Sequence, residues 1–550
     1  MINISVNDKT YPYNLGVTLK TVSEQFINDF ESDIILAKVN GNIHGLNHVI
    51  YSDCTVEFLT NADVNGHKAY EKTALFILIK AFHDVYPDIH PDDIVVRFTI
   101  GNGLYIEVDN SVLDSDMINA VKNRMQEIVN EALPIVQHSM RTDQAIELFK
   151  NLNMNDKVAL LKYRRISYTT VYSIEDVYEY FYDYVGVNTK AIKSFNLIPC
   201  EEGMVLVTPT VANPTTVEEF KYSKKLFKVL KNNASVMKYS GMTNIAEFNN
   251  ILSTDGFTSP VLLQEALMEK QISDIAKRIA SDKKIKIVLI AGPSSSGKTT
   301  FSHRLDVQLS ANGLNANPIE TDNYFVDRDK TPIDKDGKPD FETLEAMDIV
   351  QFNKDMNDLL QGRKIELPAD NFKTGKREYR GKFLQLKEQD ILIAEGIHCL
   401  DPGMTGELPQ ENLFKIYIAP LSNLNIDDQN FISTNDSRLI RRIVRDNRSR
   451  GYSAENTILQ WPSVRRGEEL YIVPFREEAD AIFNSSMVYE LCIIKSYAEA
   501  LLFAIDYDSP AYSEAKRLLK LLDYFLNIPT DIVPKNSLLS EFVGGNIFGV

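Results

Sequence analysis

The sequence predicts a multidomain protein of mixed α+β and α/β class, with a doubly wound parallel sheet in its C-terminal half. Three observations carry this. The chain has 550 residues, too many for one hydrophobic core, and its 44% hydrophobic and 25% charged residues are globular in proportion. From "KIKIVLIAG" to about residue 486, apolar runs such as "ILIAEGI" and "LFKIYIAP" alternate with helical patterns, as strands buried on both faces by crossover helices do. Before that point, strand and helix patterns follow one another without such alternation.

Residues 1–62 read strand, turn, strand, helix, strand, strand: "INISV", "KTYPY", an amphipathic "TLKTVSEQFINDF", "IILAKVN" and "CTVEFLT". This is a small mixed-sheet domain. Residues 63–214 form an α+β domain, with a helix in "NGHKAYEKTALFILIKAFHDVYPD", strands at "IVVRFTI" and "LYIEVD", and a long helix in "DSDMINAVKNRMQEIVNEAL". Residues 215–282 are a helical connector interrupted by the turn-rich "LSTDGFTSP". The α/β unit occupies 283–486, and 487–550 is a helical tail ending in the loop-like "IPTDIVPKNSLLSEFVGGN". Repeats and low-complexity segments are absent from the sequence.

Lys and Arg number 59 against 76 Asp and Glu, a net charge of −17, which argues against wholesale binding to nucleic acid or anionic membrane. The start lacks the basic and apolar regions of an export signal, and the apolar "TALFILIKAF" is short and broken by Lys80. Cys54, Cys200, Cys399 and Cys492 are widely spaced, so neither a disulfide frame nor a cysteine zinc site is expected. A cytoplasmic location is the expectation.

The most legible stretch is "AGPSSSGKTTF". Gly292, Pro293, Ser294, Ser295, Ser296, Gly297, Lys298 and Thr299 fit G-x-x-x-x-G-K-[ST], between a strand run "IKIVLIA" and a helical "KTTFSHRLDVQLS". Glycines let backbone amides turn onto phosphate oxygens, the helix start adds its dipole, Lys298 reaches the terminal phosphates and the Thr299 hydroxyl suits a magnesium ion. Thr300 extends the set of first-turn groups facing the nucleotide. A strand-to-helix turn that binds nothing is the bland alternative, and the flanking elements weigh against it.

Two carboxylates fall where such a site needs them. Asp322 in "NPIETDNYF" and Glu395 in "DILIAEGI" each follow a strand run, which places both in the crevice at the carboxyl ends of the strands. Glu395 suits the metal and Asp322 suits deprotonation of an acceptor hydroxyl, although each is also compatible with a helix-capping role. In "DSRLIRRIVRDNRSRGYS", Arg438, Arg441, Arg442 and Arg445 recur at helical spacing in an acidic chain. They suit a lid whose guanidinium groups close over a triphosphate, against the alternative of a solvated helix face.

These motifs, with "PDFETLEAMD" and "ELPADNFKTGKR" between them, follow the order seen in the uridine kinase and phosphoribulokinase family, which residues 283–486 resemble. The resemblance implies that Mg-ATP donates its γ-phosphate to a small acceptor, in uridine kinases the 5′-hydroxyl of uridine or cytidine. It implies Asp322 as base and Lys298, Arg441 and Arg445 as catalytic cations. Gly292, Ser294 to Thr300, Arg438 and Arg442 would hold ATP, Thr299 and Glu395 the magnesium, and Tyr324, Asp340, Phe372 and Arg377 the acceptor. One departure stands out: where uridine kinases offer a Tyr and a His to the pyrimidine, this chain has Asp370 and Gly375. Another sugar or alcohol acceptor therefore stays open.

Residues 1–60 resemble the ubiquitin-like, β-grasp TGS module of threonyl-tRNA synthetases, and the following stretch resembles their editing domain. Lys72, Phe76, Phe181 and Val185 stand at the positions of that domain's two His and later Cys/His pair, so a metal site of the usual kind is not expected. This half is read as a retained fold with its hydrolytic site lost, serving as a substrate cap, a homo-oligomerisation surface or a sensor of a regulatory ligand or RNA. A regulatory ATP-binding protein without phosphotransfer is the alternative of a different class.

Overall fold

The computed structural model describes residues 1–549 except 334–336, 338, 372–375 and 422–423. The chain divides into two units. The first comprises Met1–Asp255, Asn423–Ile432 and Asp506–Leu526; the second comprises Gly256–Ser422, Ser433–Ile505 and Asn527–Val550. Segments from inside the spans 283–486 and 487–550 thus belong to the first unit.

The first unit opens with a five-stranded mixed sheet in the order Lys9–Tyr13, Ile2–Val6, Cys54–Thr60, Ile34–Val39, Asn42–Gly45. Ile2, Ile4 and Val6 alternate inward, as period-two patterning requires. The helix expected across "TLKTVSEQFINDF" is only Leu19–Ser23, followed by a 3-10 turn at Ile27–Asp29. Its amphipathic pattern continues, but the Phe26 amide bonds the Ser23 carbonyl at 2.9 Å and tightens the coil. That places the Phe26 ring between Tyr11 and Phe58.

Next comes α1 (Val64–Val85), every residue of which from Lys72 to Phe82 is buried. Helix Ser115–Glu131 and the antiparallel sheet Asn196–Cys200, Gly203–Val207, Gly103–Val108, Ile94–Ile100 share one apolar core with it. Asp427, Gln429 and Asn430 are buried in the same unit, where Lys157 is wholly enclosed. Its ammonium lies 3.0 Å from Glu179, 3.0 Å from Asp427 and 3.2 Å from Asp156.

The second unit is built on β1 (Ile287–Ala291), α2 (Lys298–Ala311), β2 (Asn315–Glu320), β3 (Asp390–Glu395), β4 (Leu413–Ala419), α3 (Thr434–Arg445) and β5 (Ala481–Asn484). The five strands are all parallel, in the order β2-β3-β1-β4-β5. Each residue of β1 and β4 is buried, which explains their apolar runs, broken in β4 only by Lys415. The chain leaves β1 toward β2 and β3 on one side and reaches β4 and β5 on the other, so the crevice of the switch point opens at the carboxyl end of β1. Among the described residues, no helix is long and apolar enough to cross a membrane.

Candidate phosphate-binding site

The glycine-rich loop joins β1 to α2. A Cβ on Gly292 would stand 2.0 Å from the Ile418 carbonyl oxygen, so only glycine lets the chain turn against β4. Gly297 has φ +84° and Ser295 has φ +61°, the latter a strain of about 1 kcal/mol for a residue with a side chain. The Ser295 and Ser296 hydroxyls are buried and have no hydrogen-bond partner among the described residues. Unpaired buried donors around a helix start are what an anion would satisfy.

Lys298 donates to the Gly292 and Pro293 carbonyls at 3.0 and 3.4 Å. Burial lowers its pKa, against the pull of Glu395, Asp322 and Glu541. Glu395, at the end of β3, is pushed up to about 7 by burial, with Lys298 and the Thr299 hydroxyl working the other way. Its Oε2 is buried and unpartnered among the described residues. Asp322 lies on the 3-10 turn Thr321–Tyr324 after β2, where the Thr321 hydroxyl donates to the Glu395 carbonyl at 2.9 Å and ties the two strand ends together. The loop amides, the orphaned hydroxyls and the Lys298/Thr299/Glu395/Asp322 set fit a nucleotide phosphate with a divalent cation: Thr299 and Glu395 would hold the metal.

The arginines differ from the expected lid. Arg438 is buried, donates to both Glu468 oxygens at 2.7 and 2.6 Å and to the Ser294 carbonyl at 3.1 Å. Arg441 is fully buried against Glu490 and donates to the carbonyls of Ser295 and Ser485. Arg442 donates to the Ser294 hydroxyl at 2.7 Å. Hydrogen bonds to Ser294 and Ser295 hold α3 onto the loop, and the ion pairs of Arg438 with Glu468 and Arg441 with Glu490 fix two of the guanidinium groups, so these groups brace the loop and are not free to swing over a triphosphate. Further on, Arg445 is paired with Asp446 at 2.7 Å and acts electrostatically on Lys298, and Arg450, in the wide turn Asp446–Arg450, acts on Asp322.

On the acceptor side, Tyr324 departs from expectation. Its ring is buried edge-on to Phe352 and its hydroxyl donates to Asp355 at 3.0 Å, so it is a core residue. Asp340 is half-buried and accepts from the Glu342 amide at 3.0 Å. Arg377 donates to Asp348 at 2.7 Å, while its Nη1 is buried without a partner among the described residues. Phe372 lies outside the described residues.

Sequence reasoning missed two residues. His398 is 1% exposed, and neither ring nitrogen has a hydrogen-bond partner among the described residues. Burial lowers its pKa to about 4, with Thr343 and Asp340 pulling upward. It follows the "AEGI" strand end by three residues, a position that carries no signal on its own. Glu541, in the helical turn Ser540–Val543, accepts from the Thr300 amide at 3.3 Å and hydroxyl at 2.9 Å. Thr300, expected to meet the nucleotide, thus meets the chain's own carboxylate. Arg448 donates to the Glu541 carbonyl at 2.6 Å, and a Cβ on Gly297 would stand 2.8 Å from Leu538.

In the first unit, Phe76 and Phe181 meet ring to ring at 5.4 Å and Val185 is buried, while Lys72 donates to the Gln429 carbonyl at 3.1 Å beneath the Phe431 ring. The four positions are packed as core.

Residues 287–491 match the Phosphoribulokinase / Uridine kinase family. A uridine kinase of Lactobacillus helveticus (strain DPC 4571) is 30% identical over 202 residues, covering 36% of this chain and 84% of that protein. A uridine kinase of Halalkalibacterium halodurans is 28% identical over 198 residues, with the same coverage. Through its second half the chain belongs to the phosphoribulokinase and uridine kinase family. The N-terminal region is similar to a threonine--tRNA ligase of Acetivibrio thermocellus, 27% identical over 164 residues or 30% of this chain, and the chain spans only a quarter of that protein's length.

Proposed function

We propose that the protein is an ATP-dependent kinase that transfers the γ-phosphate to a hydroxyl of a small acceptor, with the 5′-hydroxyl of uridine or cytidine as first choice. The observation that carries this reading is the convergence of Lys298, Asp322 and Glu395 at the mouth of β1, each within electrostatic reach of the others. A nucleotide that only switches a protein has no need of an acceptor base there. Bound Mg-ATP would supply the phosphoryl group and charge neutralisation; Thr299 and Glu395 would hold the cation.

In this reading the loop amides and Lys298 grip the phosphates, and Asp322 takes the acceptor hydroxyl proton. Arg445 and Arg450 offset charge spreading in transfer, while Arg438, Arg441 and Arg442 keep the loop in shape. Asp340, Arg377 and His398 face the acceptor.

The test is ADP release with Mg-ATP against a panel of nucleosides, sugars and sugar phosphates, with Asp322→Asn in parallel. Stimulation by uridine or cytidine that Asp322→Asn abolishes supports the full reading. Stimulation only by another alcohol replaces the acceptor, and ATP binding without stimulation by any acceptor overturns phosphotransfer.

A further inference from the structure

Away from the phosphate loop, the first unit contains a cavity of about 420 Å³ walled by α1, the strand Asn42–Gly45, the Asp183–Tyr184 segment and the helix Tyr512–Leu522. This volume lies within the range of small-molecule sites. Its lining carries four cationic side chains, Lys68, Lys516, Arg517 and Lys520, against the single carboxylate of Asp183. In a chain of net charge −17 that is a local excess of cations, gathered in one open cavity.

Lys520 is the informative member. Its ammonium donates to the Tyr182 carbonyl, and no carboxylate pairs with it among the described residues. Burial lowers its pKa, Asp183 pulls the other way and Arg164 adds repulsion. The side chain as a whole is exposed, so its ammonium can be reached from solvent by an anion that supplies the missing counter-charge. Arg517, by contrast, is already held by Glu514 through two bonds of 2.9 and 2.6 Å. The rest of the wall includes two flat rings, Tyr184, whose ring lies 5.9 Å from the Lys520 ammonium, and His44, with apolar Leu36, Ile43 and Ala69 and polar Asn42, Asn65 and Ser513. His44 stacks on His48 at 3.9 Å, and burial together with His48 lowers its pKa to about 4, so at neutral pH it presents an uncharged ring.

We propose that this cavity is a second ligand site, built for a nucleoside monophosphate: the phosphate among Lys68, Lys516 and Lys520, the base against Tyr184 and His44. A phosphate monoester dianion offers the two negative charges and the acceptor oxygens that three ammonium groups recognise. The site stands apart from the phosphotransfer reading and does not depend on it. It also gives the synthetase-like half a chemistry that requires none of Lys72, Phe76, Phe181 or Val185.

The experiment is titration calorimetry of the full chain carrying Lys298→Ala with UMP and AMP, and with uridine and adenosine as phosphate-free controls. The proposal expects a saturable monophosphate site that loses at least tenfold in affinity in both Lys516→Gln and Lys520→Gln, while any binding of uridine at the acceptor site is unchanged in both variants. Lys516 and Lys520 are both exposed, so neither variant is expected to disturb the fold. No binding of either monophosphate, or binding that both lysine variants leave unchanged, overturns the proposal.

Discussion

The carboxylate of Glu541 holds the amide and the hydroxyl of Thr300 at once, at 3.3 and 2.9 Å, in the first turn of the helix that follows the phosphate loop. First-turn amides are the groups a helix offers to a phosphate. A side chain from 241 residues away therefore sits as a rival anion beside Lys298, where it also acts on Glu395. Replacing it with Gln keeps the shape and removes the charge. Glu541→Gln is expected to tighten ATP binding about tenfold, equivalent to ~1.4 kcal/mol. Calorimetry on the two proteins decides the matter: an unchanged or weaker Kd would show Glu541 to be a helix cap and nothing more.

Asp322→Asn is expected to lower kcat by about 10²–10⁴, the usual contribution of a general base, with little change in the Kd for ATP. Lys298→Ala should weaken ATP binding itself, because its ammonium is within reach of the site's carboxylates and lies where the terminal phosphates go. Steady-state kinetics beside binding measurements separate the two effects. Equal losses of binding in both variants would contradict the assigned roles.

His398→Leu is expected to raise KM for the acceptor about tenfold and leave KM for ATP alone, as removal of one polar partner from a small ligand does. Its two unpaired nitrogens sit near Asp340 and Thr343, toward the acceptor segment. An unchanged acceptor KM with higher thermal stability would assign the imidazole to packing.

Burial holds the Glu342 carboxyl up at about 7, against Arg442 and Lys298. Its folded pKa exceeds its unfolded value of about 4.3, so the folded state binds the extra proton between them. Its contribution to stability is complete below about pH 4 and is lost as pH rises through 7. Urea denaturation of the nucleotide-free protein at pH 5 and pH 8 should show Glu342→Gln reducing the fall in stability across that interval, by on the order of 3 kcal/mol. A parallel fall in both proteins would place the shift elsewhere.

Lys157→Met is expected to cost about 3–5 kcal/mol, because Glu179, Asp156 and Asp427 would lose the cation that balances them. Chemical denaturation reads this directly, and a loss below 1 kcal/mol would mean that those carboxyls are protonated in the folded state.

Much of the phosphate site is legible in the sequence, because the loop, its strand and its helix are contiguous and their spacing follows from the chemistry. Asp322 and Glu395 are also accessible to reasoning, since strand ends in a parallel sheet face one crevice. The fate of the arginines is not. Helical spacing in α3 is the same for a solvated face and for a buried one, and only the distant partners Glu468 and Glu490 distinguish them. Tyr324 misleads for a similar reason, because Asp355 and Phe352 capture it from a helix further along the chain. Glu541 lies in a loop-like tail with no periodicity, so nothing local indicates that it returns to Thr300. In the first sheet, pattern continued past Ser23 while the backbone did not, since amphipathic spacing does not separate an α-helix from a 3-10 turn.

The first unit takes its last helix from Asp506–Leu526 and a buried segment from Asn423–Ile432. On a ribosome that emits the chain from residue 1, the part that is translated first is therefore completed nearly last: Lys157 waits some 270 residues for Asp427. A chain cut after residue 255 lacks the Asp427 that faces Lys157, and a nascent chain is in that condition until residue 427 has been made. At roughly 5–20 residues per second the interval is on the order of tens of seconds, long enough for a chaperone to matter. The two units are interleaved along the chain, so no single cut separates them.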